Sequence, residues 1–160
     1  MAKKAKPGKG GPHLAAAVFC DDTIQDRDDG TISVIRIIDQ IAVLLPPDAP
    51  PDFPSKANRI TVSGKLFLAF KTGDSTGSHT VRCVMESPSG RKAVVFERTL
   101  DFSPQPNGGS NFHIDLRVKV YKGGLFWMYV YVDRKRLALM PIVIKIERGK
   151  QPSEASVGGG

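Results

Sequence analysis

The sequence predicts an all-β domain: a two-sheet antiparallel β-sandwich, immunoglobulin-like or jelly-roll-like, with about seven or eight strands. Three observations carry that prediction. Apolar residues alternate with polar ones over long runs, Pro/Gly turns punctuate those runs, and no stretch keeps a helical period. A strand points successive side chains to opposite faces, so strict alternation marks a sheet with one wet face and one packed face.

The clearest runs are central. In Ile60–Lys71 the even positions are Ile60, Val62, Gly64, Leu66, Leu68 and Phe70, and the odd ones begin Thr61, Ser63, Lys65. Between Phe112 and Tyr121, one face is Phe112, Ile114, Leu116, Val118 and Val120. His113, Asp115, Arg117, Lys119 and Tyr121 form the other. A helix would scatter both sets around its circumference.

The remaining elements follow in order. Leu14–Cys20 is an early strand. Thr31–Val43 is β-branched and almost continuously apolar, which predicts a strand, with a helical turn near Ile38–Leu45 as the alternative. Pro46–Pro54 holds five prolines and cannot pair inside a sheet, so it reads as a surface crossover. His79–Ser87 and Arg91–Leu100 flank Ser87-Pro88-Ser89-Gly90, a hairpin turn. Leu125–Asp133 and Leu137–Glu147 flank the charged tip Arg134-Lys135-Arg136.

Domain organisation follows from composition. Residues 13–148 form the predicted domain, long enough at this size to bury a core without disulfides or metals. Residues 1–12 are a Lys/Gly/Pro tail and 149–160 a Gly-ended one, and both are expected to be disordered. The net charge is +7, but Lys3, Lys4, Lys6 and Lys9 hold four of the 23 basic residues in that tail. That leaves 19 against 16 acidic ones, a balance that favours solubility without implying nucleic acid. No run approaches a membrane span, and Leu14–Cys20 is a poor signal-peptide core, so the expected compartment is the cytoplasm. Cys20 and Cys83 sit among apolar strand residues with no CxxC spacing, and read as buried thiols.

Four groups were candidates for chemistry. If Phe126, Met128, Val130 and Val132 face the core, then Leu125, Trp127, Tyr129 and Tyr131 form an outward aromatic stripe. Such rings anchor protein interfaces and stack on sugars. The simpler reading is a central strand covered on both faces. Tyr121, on the wet face of the preceding strand, is a further candidate contact residue. The tip Arg134-Lys135-Arg136, with Lys3, Lys4, Lys6 and Lys9, could touch phosphates, although charged hairpin ends usually serve solubility.

The third group, Asp21, Asp22, Asp26, Asp28 and Asp29, has carboxylates for a cation, but Gly30 comes one place early for an EF-hand and no closing Glu follows. A solvated turn is the expectation, with no metal and no cofactor. The fourth is Ser75, Ser78 and His79, where close spacing in a loop is not by itself a nucleophile–base arrangement. HExxH and phosphate-loop motifs are missing, and a non-enzyme is expected.

Two stretches also carry a resemblance. Phe19-Cys20-Asp21-Asp22 followed by Thr31–Asp39, and Phe126–Asp133 with Pro141-Ile142-Val143, resemble an uncharacterised family of small bacterial β-sandwich proteins. The resemblance implies a cytoplasmic sandwich and no particular activity. The resulting expectation is a non-catalytic interaction module that binds a protein or a second copy of itself through Trp127, Tyr129, Tyr131 and Tyr121. Nucleic-acid association is the alternative and carbohydrate binding a further one; no membrane partner is expected.

Overall fold

The computed structural model describes residues 10–103 and 108–150. The expected tails therefore fall largely, and Lys3, Lys4, Lys6 and Lys9 wholly, outside the described residues. Within them, every regular element is a strand. In chain order they are β1 (His13–Gln25), β2 (Ile32–Ile37), β3 (Gln40–Leu45), β4 (Ile60–Lys71), β5 (Gly77–Glu86), β6 (Lys92–Phe102), β7 (Gly109–Val120), β8 (Gly124–Val132) and β9 (Lys135–Arg148). They form a four-stranded sheet, β2-β1-β4-β7, and a five-stranded sheet, β3-β9-β8-β5-β6.

Two expectations need correction. The strands number nine among the described residues, above the seven or eight expected, and the five-stranded sheet is mixed. β3 pairs with β9 in parallel, from Gln40 opposite Val143 to Leu45 opposite Arg148. Both differences come from Thr31–Val43, expected as one strand. The backbone turns left-handed at Arg36 (φ 48°). The Ile38 N–H then donates to the Phe19 carbonyl, while the Asp39 carbonyl accepts from Val143 N–H. One apolar run thus serves both sheets: β2 pairs with β1 in the first and β3 joins the edge of the second. The chain crosses without folding back, which is why β3 arrives parallel.

The core lies between the sheets. Phe19, Val62, Leu66, Leu68, Phe70, Ile114 and Leu116 from the first meet Val81, Cys83, Met128, Val130, Ile142 and Ile144 from the second in one cluster. The even positions of β4 and β7 point inward as their alternation predicts. The odd end of β4 does not stay wet, because Phe67 and Ala69 join Cys20 in a second, smaller apolar cluster. Cys20 and Cys83 are both free and buried. Loss of solvation, the largest cause in each case, raises the Cys20 thiol and pushes Cys83 to about 12.

The Pro-rich crossover is held by a residue 94 positions beyond its end, a number set by the chain from Pro54 to Arg148. The Arg148 guanidinium donates to the carbonyls of Ala49 and Pro50 at 2.7 and 2.6 Å and also lies within reach of Pro51 and Phe53. Prolines leave carbonyls without the strand partners a sheet would supply, and a planar fork of donors suits such a cluster.

Candidate functional site

β8 is the middle strand of the five-stranded sheet, paired on one side with β5 and on the other with β9. Phe126, Met128, Val130 and Val132 are buried in the core. The intervening residues lie on the outer face: Trp127, Tyr129 and Tyr131 are half-buried and Leu125 is exposed. Trp127 sits opposite Glu86 on β5 and Pro141 on β9, while Tyr129 sits opposite Val84 and Leu139. Leu139 is itself exposed. At Tyr129 the outer face is therefore apolar across three strands, with Val84 and Leu139 on either side, while Trp127 meets Glu86 and Tyr131 meets Arg82 and Arg136.

Its rings are held in place. Tyr129 and Tyr131 stack with centroids 6.3 Å apart and planes 11° from parallel. The Tyr129 hydroxyl donates to Glu86 Oε2 at 2.6 Å, and Lys92 Nζ lies 3.4 Å from the same oxygen. Lys92 also sits 4.6 Å from the Tyr129 ring centroid, where the ring face attracts a cation. The shared bond raises the Tyr129 phenol and lowers the Glu86 carboxyl, and it is the first cause of each shift. The Glu86–Lys92 hydrogen bond raises the lysine. Glu86 and Lys92 face each other across the β5–β6 hairpin. Their opposite charges either side of a Pro/Gly turn were the sequence signal for this clamp.

The rim carries both signs. Arg82 pairs with Glu97 at 3.4 Å, and Arg136 lies over the Tyr129 ring at 5.9 Å. Arg136 thus joins the basic tip to the aromatic strip, a contact that sequence spacing does not give. Arg134, Lys135 and Arg136 are all exposed. Tyr121 is not brought to the strip. It follows β7 at the end of the other sheet, with the Arg59 guanidinium 5.7 Å from its ring centroid.

The other candidates resolve locally. In the acidic turn, Asp26 Oδ1 accepts from Asp28 N–H and Asp29 Oδ1 from Thr31 N–H, so two carboxylates brace their own loop. Asp21 pairs with Arg36 at 3.1 Å and Asp22 with Lys65 at 2.5 Å. His79 binds Asp133 through Nδ1 at 2.8 Å and the Thr76 carbonyl through Nε2 at 3.1 Å. Both partners are acceptors, which favours the doubly protonated ring; the bond to Asp133 is the main cause raising His79 and, reciprocally, lowering Asp133. Ser78 donates to Asp101, not to His79.

No family model and no curated protein matches the sequence. Among solved structures, the chain is similar to a beta-glucosidase from Listeria innocua in complex with glucose, at 13% identity and TM-score 0.45. That match covers 54% of this chain and 14% of the other. It is similar to beta-glucosidase 3B from Thermotoga neapolitana in complex with glucose, at 9% identity and TM-score 0.44, over 55% and 15%. It is also similar to an alkylpurine DNA glycosylase from Pseudomonas fluorescens bound to DNA, at 9% identity and TM-score 0.39, over 52% and 25%. The chain spans no more than a quarter of these proteins, and at such scores the likenesses carry no argument about its function.

Proposed function

We propose that this chain is a non-catalytic interaction module on an immunoglobulin-like β-sandwich, which associates with a second copy of itself through the outer face of β8. The sandwich reading is supported by strand order. β1-β4-β7 facing β9-β8-β5-β6 follows the A-B-E and G-F-C-C′ order of such domains, with β3 added at the β9 edge.

The single observation that carries the function is the outward set Trp127, Tyr129 and Tyr131, with Leu125 and Leu139 beside it. Aromatic residues are enriched at interface centres, and rings already fixed lose little entropy on binding. The rim supports a second copy in particular. Arg82, Lys92 and Arg136 lie on the same rim as Glu86 and Glu97, so a two-fold axis can bring opposite signs of the two copies together. Sedimentation equilibrium of the wild type against a Trp127→Ser, Tyr131→Ser variant tests this. Association in the wild type and a monomer in a variant with unchanged circular dichroism is the expected result; equal masses would overturn it.

A second reading, nucleic-acid binding, is favoured by one placement. Gly11 and Pro12, at the described start of the chain, line the same shallow groove as Arg134 and Lys135. Lys3, Lys4, Lys6 and Lys9 precede Gly11 and Pro12 in the sequence. Binding of an oligonucleotide that weakens steeply with salt and with deletion of residues 1–9 would support it, and no shift at low salt would end it.

A further inference from the structure

β6 and β7 are the edge strands of the two sheets and meet along one seam of the domain. At one end Phe96 and Phe112 close it, with ring centroids 5.8 Å apart. At the other the seam opens into a cleft of about 620 Å3. The hairpin tip Ser87–Arg91 forms its end wall. Pro88 packs there on Gly124, whose φ is +143° and where any Cβ would come within 2.8 Å of Pro88 Cγ. Glycine at 124 is what lets the tip close down.

The cleft has two chemistries. Its floor is the margin of the core: exposed Val94 and half-buried Val95 and Val118, lying over the buried Met85, Val120 and Phe126. Its rim carries six cations, Lys56, Arg59, Arg91, Arg117, Lys119 and Lys122, and no carboxylate among the described residues lines it. Among the described residues none of the six takes part in an ion pair, whereas Arg82 and Lys92, on the neighbouring surface, do. Cations gathered around a low-dielectric wall repel one another and focus a positive potential into the space between them. An anion relieves that repulsion, and an apolar body covers the floor.

We propose that this cleft binds an anionic amphiphile, a small molecule with one phosphate or carboxylate head and an aliphatic body. The body lies along Val94, Val95 and Val118, and the head meets Arg91 from β5–β6 and Arg117 and Lys119 from β7. The volume falls within the roughly 300–1,000 Å3 of small-ligand pockets. Single-stranded nucleic acid fits less well, because base stacking needs free ring faces and the one aromatic on the rim, Tyr121, already carries Arg59. The site shares no residue with the β8 strip, so either assignment stands if the other fails.

Isothermal titration of the full-length protein with dodecyl phosphate below its micelle concentration tests the proposal. One molecule is expected to bind per chain, and the Met85 methyl resonance to shift. Inorganic phosphate and dodecyl maltoside, each lacking one half of the chemistry, are expected to bind on the order of tenfold more weakly or worse. An Arg91→Glu, Arg117→Glu variant, altered only at exposed positions, is expected to keep its circular dichroism and lose binding by a similar factor. Equal affinity for dodecyl maltoside or for inorganic phosphate would overturn the proposal. So would unchanged binding by the variant, or displacement of dodecyl phosphate by an oligonucleotide that binds more tightly.

Discussion

β7 and β8 follow one another in the chain and share one alternation, yet their outer faces differ completely. Inward they are alike: Ile114, Leu116 and Val120 on β7 and Phe126, Met128 and Val130 on β8 enter the same core. Outward, β7 shows His113, Asp115, Arg117 and Lys119, while β8 shows Leu125, Trp127, Tyr129 and Tyr131. β7 is the edge of its sheet, where charges discourage pairing with another chain. β8 is central, its backbone satisfied on both sides, so only its side chains can meet a partner. Alternation therefore says which residues fold the domain, and the chemistry of the other set says which strand presents a contact surface.

The largest expected effects are the shared, inward ones. Leu116→Ala on β7 and Met128→Ala on β8 should each cost about 2–5 kcal/mol in urea unfolding, since both empty a buried volume. A loss well under that range on either strand would break the inward half of the comparison. Arg148→Ala comes next. It ends β9, the strand beside β8, and its loss removes a donor from four crossover carbonyls, of which Pro50 keeps the Phe53 N–H, so a loss of roughly 1.5–3 kcal/mol is expected with little change in the β8 face. An unchanged midpoint would mean that the crossover holds itself.

Outward substitutions sharpen the contrast. Lys119→Ala on β7 should leave stability within about 0.5 kcal/mol and leave association unchanged. Tyr129→Phe on β8 removes the hydroxyl bonded to Glu86 and should weaken association while sparing the fold, as analytical ultracentrifugation and thermal melts would read.

A small, pH-dependent effect is expected at the end of β8. His79 is raised by Asp133, so its contribution is complete below the ordinary histidine value of 6.5 and fades as pH rises through the raised folded value. Asp133 is lowered, so its contribution is complete above 3.8 and fades as pH falls through its lowered value. Asp133→Asn should therefore reduce the unfolding free energy between those values, near pH 6, by less than about 1 kcal/mol in exposed surroundings, and the difference should shrink at pH 9. A gap that widens at high pH would contradict the sign.

Much of this was legible in the sequence, and the rest for definite reasons was not. β4, β7 and β8 announced their inner faces because alternation is a local property. Thr31–Val43 hid a change of sheet, because a continuous apolar run suits one strand buried on both faces as well as two strands serving one core. The rings of β8 were visible as candidates, but their exposure depended on what lies across the sheet. Glu86 and Lys92 were not singled out, although the turn between them sets them opposite each other, whereas Arg148 reached the crossover, and Arg136 the Tyr129 ring, through register that spacing does not encode. Tyr121 shared the alternation of β7 and was expected with the stripe; it stands instead at the end of the other sheet.

Trp127 is the chain's one tryptophan, so its fluorescence reports on the β8 face alone. Acrylamide quenching of that emission, followed as protein concentration rises, is the most direct measurement. Association through β8 predicts that quenching declines and the emission shifts to the blue as copies cover the ring. Quenching that stays constant while the protein associates would place the contact elsewhere and contradict the account.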